Sequence, residues 1–440
     1  MAAGFLAWSA LRLIGAFVPQ SPSRPLPPLR EDQLPTYTII SALYHEAASV
    51  QGLLASFERF EYPAEKLNIL LVTEEDDPQT RAAIAAYRGS LAIETIIAPA
   101  SGPQTKPKAL NVALPFARGA FTVIYDAEDR PEPDQLIRAL NAFRKAHSDL
   151  ACVQARLAID NTTDSWLAAM FSAEYAGHFD VFLPGLSALQ LPLPLGGSSN
   201  HFRTATLRAV GGWDAHNVTE DADLGIRLAR FGYRAAIIDS TTFEEATARV
   251  WPWLRQRTRW FKGWLQTWCV HMRRPYALLR ELGPINFIAF QLLIAGNVLA
   301  TLVHPVFFLT LIYLAAQGSM QWLGNNAAFT AAAAFYGTTA ASGYLTSAFL
   351  GWRGLVNRNL QSAAWVLLLT PIHWLLLSLA AWRAFYQFLF NPYGWEKTEH
   401  GAANRNGARN VTRSLSILEQ HLGAFETATL VPSATTATEA

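Results

Sequence analysis

The stretch "FTVIYDAEDRPEPD", Phe121 to Asp134, carries an apolar run directly into a segment with five carboxylates: Asp126, Glu128, Asp129, Glu132 and Asp134. Four β-prone residues followed by acids and prolines read as a buried strand that ends in a turn. The acids admit two readings. They form a solvated turn stopped by Pro131 and Pro133, or Asp126 and Glu128, one residue apart at a strand end, hold a hard divalent cation that in turn binds a diphosphate.

Upstream, "YTIISAL", "NILLVTE" and "LAIETIIAP" are further strand-like runs, separated by helix-like segments such as Pro78 to Tyr87 and Lys108 to Ala117. This alternation predicts an α/β fold with a mostly parallel sheet and helices on both faces. Ligands bind such sheets beyond the carboxyl ends of the strands. Glu74 to Asp77 and Asp126 to Asp129 fall at such ends. No GxGxxG or GxxxxGK loop is present, so a phosphate cradle of either kind is not expected.

The chain has 440 residues, 51% of them hydrophobic and 12% aromatic, which is more apolar than an ordinary soluble enzyme. A formal net charge of +1 gives no reason to expect nucleic acid as a partner. Cys152 and Cys269 lie far apart and support neither a disulfide framework nor a zinc cluster, so a reducing setting is expected.

The apolar residues are concentrated. Ile285 to Ala316, Asn326 to Trp352 and Ser362 to Trp382 carry no charge, and each reaches the roughly 20 residues of a spanning helix. The N-terminal "AAGFLAWSALRLIGAFV" is shorter and interrupted by Arg12; with no small-residue cleavage site after it, it reads as a retained anchor. The predicted organisation is an anchor (1–19), a Pro-rich linker (20–35), a soluble domain (36–250), an amphipathic interfacial segment (251–284), transmembrane helices (285–390) and a cytoplasmic, largely disordered tail (391–440). Arg353 and Arg358 between runs, and Lys397, Arg405, Arg409 and Arg413 after the last, place the charged segments on the cytoplasmic side by the positive-inside tendency. Three crossings cannot return domain and tail to one side, so one run must be re-entrant, a hairpin or interfacial. The candidates are the run broken by Pro305 and the run broken by Pro371.

Further along lies "NVTEDADLGIRLARFGYR". Thr219 can cap a helix with Asp221 near its positive end, or Asp221 can serve as general base toward an acceptor hydroxyl, with the glycines of "VGGW" permitting a tight approach. "WPWLRQRTRWFKGWLQTWCVHMRR" interleaves five tryptophans with Arg and Lys, which suits a helix at a membrane surface. Gln256, Arg259 and Trp260, at i, i+3 and i+4, share a face that can close over a substrate.

"KPKALN", "DAEDRPEPD", "VGGWDAHNVTEDADLGIRL" and "QRTRW", in this order, resemble the motif set of membrane-integrated family 2 inverting glycosyltransferases, similar to cellulose, chitin and hyaluronan synthases. The resemblance covers roughly Thr36 to Trp264. It implies a GT-A type nucleotide-sugar-binding domain on the cytoplasmic face, followed by membrane helices. It implies that Asp126 is the first acid of a DxD motif, contacting diphosphate through Mg²⁺ or Mn²⁺, with Glu128 where the second aspartate is usual. Asp221 of "TED" matches the base, and Glu220 beside it is expected to bind substrate. Gln256, Arg259 and Trp260 match QxxRW, which holds acceptor and diphosphate, and Lys106 matches the phosphate-side lysine. By the same resemblance Tyr44 and Glu46 of "ALYHE" are expected to line the nucleotide, and Glu74 of "TEEDD" to contact the uracil.

The implied reaction is a single displacement from a UDP-sugar to an acceptor hydroxyl. The expected product is a β-linked surface or extracellular polysaccharide made at the cell inner membrane by a multi-pass protein. The alternative is addition of one sugar to a membrane lipid: ceramide, diacylglycerol or polyprenyl phosphate. A membrane scaffold built on a dead transferase domain is the non-enzymatic alternative. Partner subunits are left open.

Overall fold

The structure, a computed structural model, describes residues 2–19, 26–316, 327–392 and 394. The start of the predicted linker (20–25), the segment 317–326 and the predicted tail beyond 394 lie outside the described residues.

The strands are β1 (Tyr37–Leu43), β2 (Leu67–Glu74), β3 (Ile93–Ala98), β4 (Phe121–Ile124), β5 (Arg130–Pro131), β6 (Leu150–Ile159), β7 (Asn200–Arg203) and β8 (Arg234–Glu244). They form one sheet in the order β3-β2-β1-β4-β7-β6-β8-β5. The first four strands are mutually parallel, β7 runs antiparallel between β4 and β6, β8 is parallel to β6, and β5 is antiparallel to β8. Every residue of β2 is buried, as a strand covered on both faces requires. Its side chains alternate between two cores: Leu70 and Val72 pack with Ile40 and Ile124, whereas Ile69 and Leu71 pack with Ile39 and Val123.

The sheet must curl. β4 and β5 stand four places apart in the sheet, yet only six residue steps separate Ile124 from Arg130. Four strand spacings in a flat sheet come to about 19 Å, and six steps reach that only if fully extended, about 21 Å. This segment is instead a turn, with Asp129 N–H donating to the Asp126 carbonyl at 3.2 Å. The far edge therefore folds back toward the end of β4, and Asp126 to Asp129 lie in the crevice between. The expected strand "FTVIYDAE" accordingly stops at Ile124.

The helices are α1 (Ala2–Phe17), α2 (Val50–Phe57), α3 (Pro78–Ala85), α4 (Lys106–Ala113), α5 (Gln135–Lys145), α6 (Trp166–Tyr175), α7 (Leu183–Ala188), α8 (Thr204–Ala209), α9 (Glu220–Arg230), α10 (Val250–His271), α11 (Pro275–Phe290), α12 (Asn297–Ala316), α13 (Ala327–Asn357) and α14 (Thr370–Phe390). Local chemistry starts several of them. Asp77 caps α3 by accepting from Thr80 N–H at 3.1 Å, with Pro78 in the first turn. Thr105 caps α4 in the same way, with Pro107 in its first turn.

Two of the described helical stretches, Pro275–Thr310 and Gln361–Phe390, are long and apolar enough to cross a membrane. The breaks in them differ from expectation. Pro305 lies within the continuous helix α12, while the irregularities fall at Gly283 (φ 74°), followed by Pro284, and at a π-helical stretch, Gln291–Gly296. Pro371 opens α14 instead of interrupting it, after a 3₁₀ stretch, Gln361–Leu369.

α1 and α13 pack directly on the sheet-bearing part of the chain. A Cβ on Gly185 of α7 would strike the backbone of Gly15, so α1 crosses α7 glycine on glycine. α13 meets the π-helical stretch Ala176–Phe182 the same way, since a Cβ on Gly354 would strike Ala176 and Gly177. Arg358 then holds Asp180 through two bonds of 2.6 and 2.7 Å and donates to the Leu157 carbonyl at 2.8 Å.

Candidate active site

One cavity of about 450 Å³ reaches from the carboxyl ends of β1, β2 and β4 to the apolar helices, and all eleven residues singled out from the sequence line it. At the sheet end, Tyr44 O–H donates to Asp76 at 3.3 Å, and Ser49 O–H donates to the Glu46 carboxylate at 3.0 Å. Glu74 is buried and its carboxylate is paired with Lys108 Nζ at 2.9 Å. Lys108 escaped the sequence reading, although "KPKALN" carries two lysines; only the fold separates the one that neutralises Glu74 from Lys106.

The acidic turn divides its labour. Asp129 is fully buried, accepts from Asp126 N–H at 2.6 Å and from Ser198 O–H, and so closes the turn. Burial, then the charges of Asp126 and Glu128, push its carboxyl well above the usual range. Asp126 and Glu128 face the cavity instead. Lys106 Nζ pairs with Asp126 and donates to the Gly197 carbonyl at 2.6 Å. Burial alone would lower the Lys106 ammonium, yet Asp126, Glu220 and Asp221 hold it above its ordinary range.

Gly197 marks the centre of the site. A Cβ placed on it would lie 3.4 Å from Asp221 Oδ2, 3.9 Å from Lys106 Nζ and 4.0 Å from Asp126 Oδ2, so its missing side chain leaves a cradle between two carboxylates and an ammonium. The resemblance to family 2 glycosyltransferases implies a small-residue loop near the acceptor at "LGGSSNHFRT", Leu195 to Thr204, which otherwise reads as a glycine-rich turn before a strand; within it nothing in the sequence marks Gly197. The glycines of "VGGW" do different work from that expected: Gly211 and Gly212 have positive φ and seat Trp213 on Asn111, whose side chain bonds both Trp213 N–H (2.9 Å) and its carbonyl (2.6 Å).

Asp221 lies in the first turn of α9 and accepts from Ala222 N–H at 2.7 Å. Burial raises its carboxyl above the usual range, against the pull of that amide, Lys106 and Arg259. Burial and the Asp221 charge raise neighbouring Glu220 to about 7. Thr219 holds the N-cap position without capping; its hydroxyl points to Asn217 Oδ1 at 3.4 Å.

α10 brings Gln256, Arg259 and Trp260 to the same cavity. It is not a freely exposed surface helix. Trp253 is fully buried, and Lys262 and Gln266 bond the carbonyls of Gly394 and Pro392 beyond α14. Gln256 Oε1 and Arg259 Nε are buried in the cavity wall without a protein partner, which leaves one acceptor and one donor open to a bound group. Arg257, which was not singled out, pairs with Glu174 at 2.6 Å and lies 4.6 Å from the Trp260 ring centroid.

Among the described residues no three His, Cys, Asp or Glu side chains come together as a metal site. Asp126 and Glu128 nevertheless fit Mg²⁺ or Mn²⁺ in one specific way. Such ions are commonly held by one or two carboxylates, with substrate phosphates and water completing the shell, and the cradle at Gly197 opens beside Asp126.

A curled, mostly parallel sheet with acids at the end of a central strand defines a GT-A-like glycosyltransferase fold. Residues 35–263 match the family described as "Glycosyltransferase like family 2", and the chain belongs to it. A "Beta-monoglucosyldiacylglycerol synthase" from Synechocystis is 24% identical over 92% of this chain and 83% of its own length. The "Probable glucomannan 4-beta-mannosyltransferase 1" of Arabidopsis thaliana is 25% identical over 53% of this chain. The chain spans less than half of that relative, 43% of its length. A mannosyltransferase from Pyrobaculum calidifontis, solved with GDP-mannose and Mn²⁺, superposes with a TM-score of 0.54 at 18% identity, covering 88% of this chain and 95% of that one.

Proposed function

We propose that this protein transfers a single sugar from a UDP-sugar to the hydroxyl of a membrane lipid, with inversion, at the cytoplasmic face of a bacterial inner membrane. The observation that carries the reading is the continuity of the cavity: it holds Asp126, Glu128 and Asp221 at one end and Trp8, Leu293, Trp374 and Leu377 of the apolar helices at the other. An acceptor with an apolar body and a polar tip suits that gradient. The relative matched along nearly the whole chain makes a glycolipid.

In this reading Tyr44, Glu46 and Glu74 line the nucleotide, and Lys106 and Arg259 stabilise charge on the diphosphate. A divalent cation held by Asp126 and Glu128 would supply further neutralisation of that charge. Asp221 takes the acceptor proton as the acceptor oxygen bonds to the anomeric carbon. The bond from that carbon to the diphosphate breaks, its electron pair leaving with UDP. Displacement from the face opposite the leaving group yields a β-linked product from an α-linked donor. Gln256 and Trp260 orient the acceptor.

The second reading, elongation of a β-linked polysaccharide, is favoured by QxxRW and by the glucomannan relatives, whose similarity covers between 26% and 53% of this chain. UDP release by the detergent-purified chain against a panel of UDP-sugars, with and without Mg²⁺ or Mn²⁺, tests both. A short, solvent-extractable product supports lipid glycosylation. A long product overturns it in favour of the polymer.

A further inference from the structure

Arg12 interrupts an otherwise apolar helix, and it lines the cavity. Its guanidinium donates to Ser347 Oγ of α13 at 2.9 Å and lies 4.6 Å from the centroid of the Trp8 ring. Among the described residues no carboxylate comes within ion-pair distance of it. The acid whose field reaches it, Glu174, is already bonded to Arg257 at 2.6 Å, with His373 Nε2 at 3.8 Å. His178, on the same wall, is kept neutral by burial, its ring lowered to about 4. Glu174 is thus committed to Arg257, and Arg12 has no carboxylate bonded to it among the described residues. A cation in such surroundings calls for a counter-charge. The ring of Trp8 supplies part of it.

We propose that Arg12 and Ser347 bind a phosphate diester in the headgroup of the lipid acceptor, so that the acceptor is an anionic phospholipid carrying a separate hydroxyl. This rests on the lipid-acceptor reading above and narrows it. A guanidinium fork beside a hydroxyl matches a tetrahedral phosphate. The anion is not the nucleophile, because a carboxylate base such as Asp221 serves an acceptor that has a proton to lose. The hydroxyl reaches toward Asp221 while the phosphate stays at Arg12 and the acyl chains lie among α12 to α14.

The test uses the full chain carrying Asp221→Asn, so that no acceptor is consumed, with phosphatidylglycerol and diacylglycerol of matched acyl chains as probes in native mass spectrometry. Phosphatidylglycerol is expected to be retained about tenfold more tightly than diacylglycerol, the size of one charge-assisted hydrogen bond. Arg12→Gln should abolish that preference, and Ser347→Ala and Arg12→Lys should each reduce it, the lysine keeping the charge but not the fork. Equal retention of the two lipids, or a preference unchanged in Arg12→Gln, overturns the assignment and leaves Arg12 a structural role. Displacement of the phospholipid by millimolar inorganic phosphate overturns it in favour of a free-anion site. A preference that depends on Arg12, with no sugar passing from the wild-type chain to any lipid, overturns the lipid-acceptor reading while the headgroup site stands.

Discussion

Asp223 and His271 join α9 to α10: Asp223 Oδ1 lies 3.0 Å from His271 Nε2, while its Oδ2 accepts from Arg227 at 2.6 Å. Both Asp223 and His271 are buried. Through this bridge the helix that carries Asp221 and the helix that carries Gln256 and Arg259 hold one register.

Breaking the bridge leaves a buried charge unpaired. Asp223→Ala should cost about 3–5 kcal/mol of stability and lower kcat even at temperatures where the chain is folded. Burial pushes the Asp223 carboxyl up, but the His271 bond and the Arg227 charge outweigh it and hold it below the ordinary value. The stability it contributes is therefore present above the ordinary aspartate range and lost as pH falls through the lower, folded-state value. Thermal melts of wild type and variant should converge only in strong acid.

Asp221→Asn should reduce UDP release by about 10²–10⁴-fold, the usual worth of a general base. Glu94→Gln is the control, since Glu94 only pairs with Arg118 at the surface, at 3.0 Å. Loss of UDP release in Asp221→Asn but not in Glu94→Gln excludes the scaffold without chemistry; equal release by the two variants would remove Asp221 from the role of base.

Glu220 gives a pH signature of the opposite sign. Its carboxyl rises from an ordinary 4.5 to about 7 on folding. The folded state thus holds a proton that the unfolded chain has lost. Its contribution to stability is full below 4.5 and falls away as pH rises to about 7. Glu220→Gln should flatten the melting temperature across that window. An undiminished slope in the variant would place the titration elsewhere.

Gly197→Ala should separate folding from function. The added methyl makes ordinary contacts with Asp221, Lys106 and Asp126, so the melting temperature should hold, yet it fills the cradle between these three side chains, which the proposed reaction uses. We expect KM for the donor to rise about tenfold, on the order of 1.4 kcal/mol of lost binding. Titration calorimetry with UDP would show the same loss.

Chelation should abolish UDP release, and Mn²⁺ or Mg²⁺ should restore it. Asp126→Asn should raise the metal concentration needed by at least about tenfold, because one of two protein carboxylates loses its charge. Release that persists in chelator would remove Asp126 and Glu128 from this role.

Much of the fold was legible because parallel strands buried on both faces announce themselves as continuous apolar runs, as in "NILLVTE". Of the eleven residues drawn into one cavity, Asp126, Glu128, Asp221, Gln256, Arg259 and Trp260 could be picked out by their own chemistry and spacing, whereas Tyr44, Glu46, Glu74, Lys106 and Glu220 entered only through the resemblance to family 2 glycosyltransferases. What could not be read follows from burial and from absence. Asp126 and Asp129 are equal letters, and only the backbone of the turn decides that one faces the cavity and the other closes the loop. Gly197 acts through the side chain it lacks. Thr219 stands where a cap belongs, but Asn217 holds its hydroxyl. The glycines of "VGGW" serve Asn111, a contact across about a hundred residues that no local pattern encodes.

The crossing of Gly15 on Gly185 has a practical side. Trp8 and Arg12 stand on the helix seated by that crossing, and they form one wall of the cavity that contains Asp221. Cutting away the first nineteen residues to obtain a water-soluble catalytic fragment would therefore unroof the chamber. An enzymologist working with such a fragment would be measuring a half-open vessel, with the sheet end of the cavity intact and its apolar end exposed to solvent.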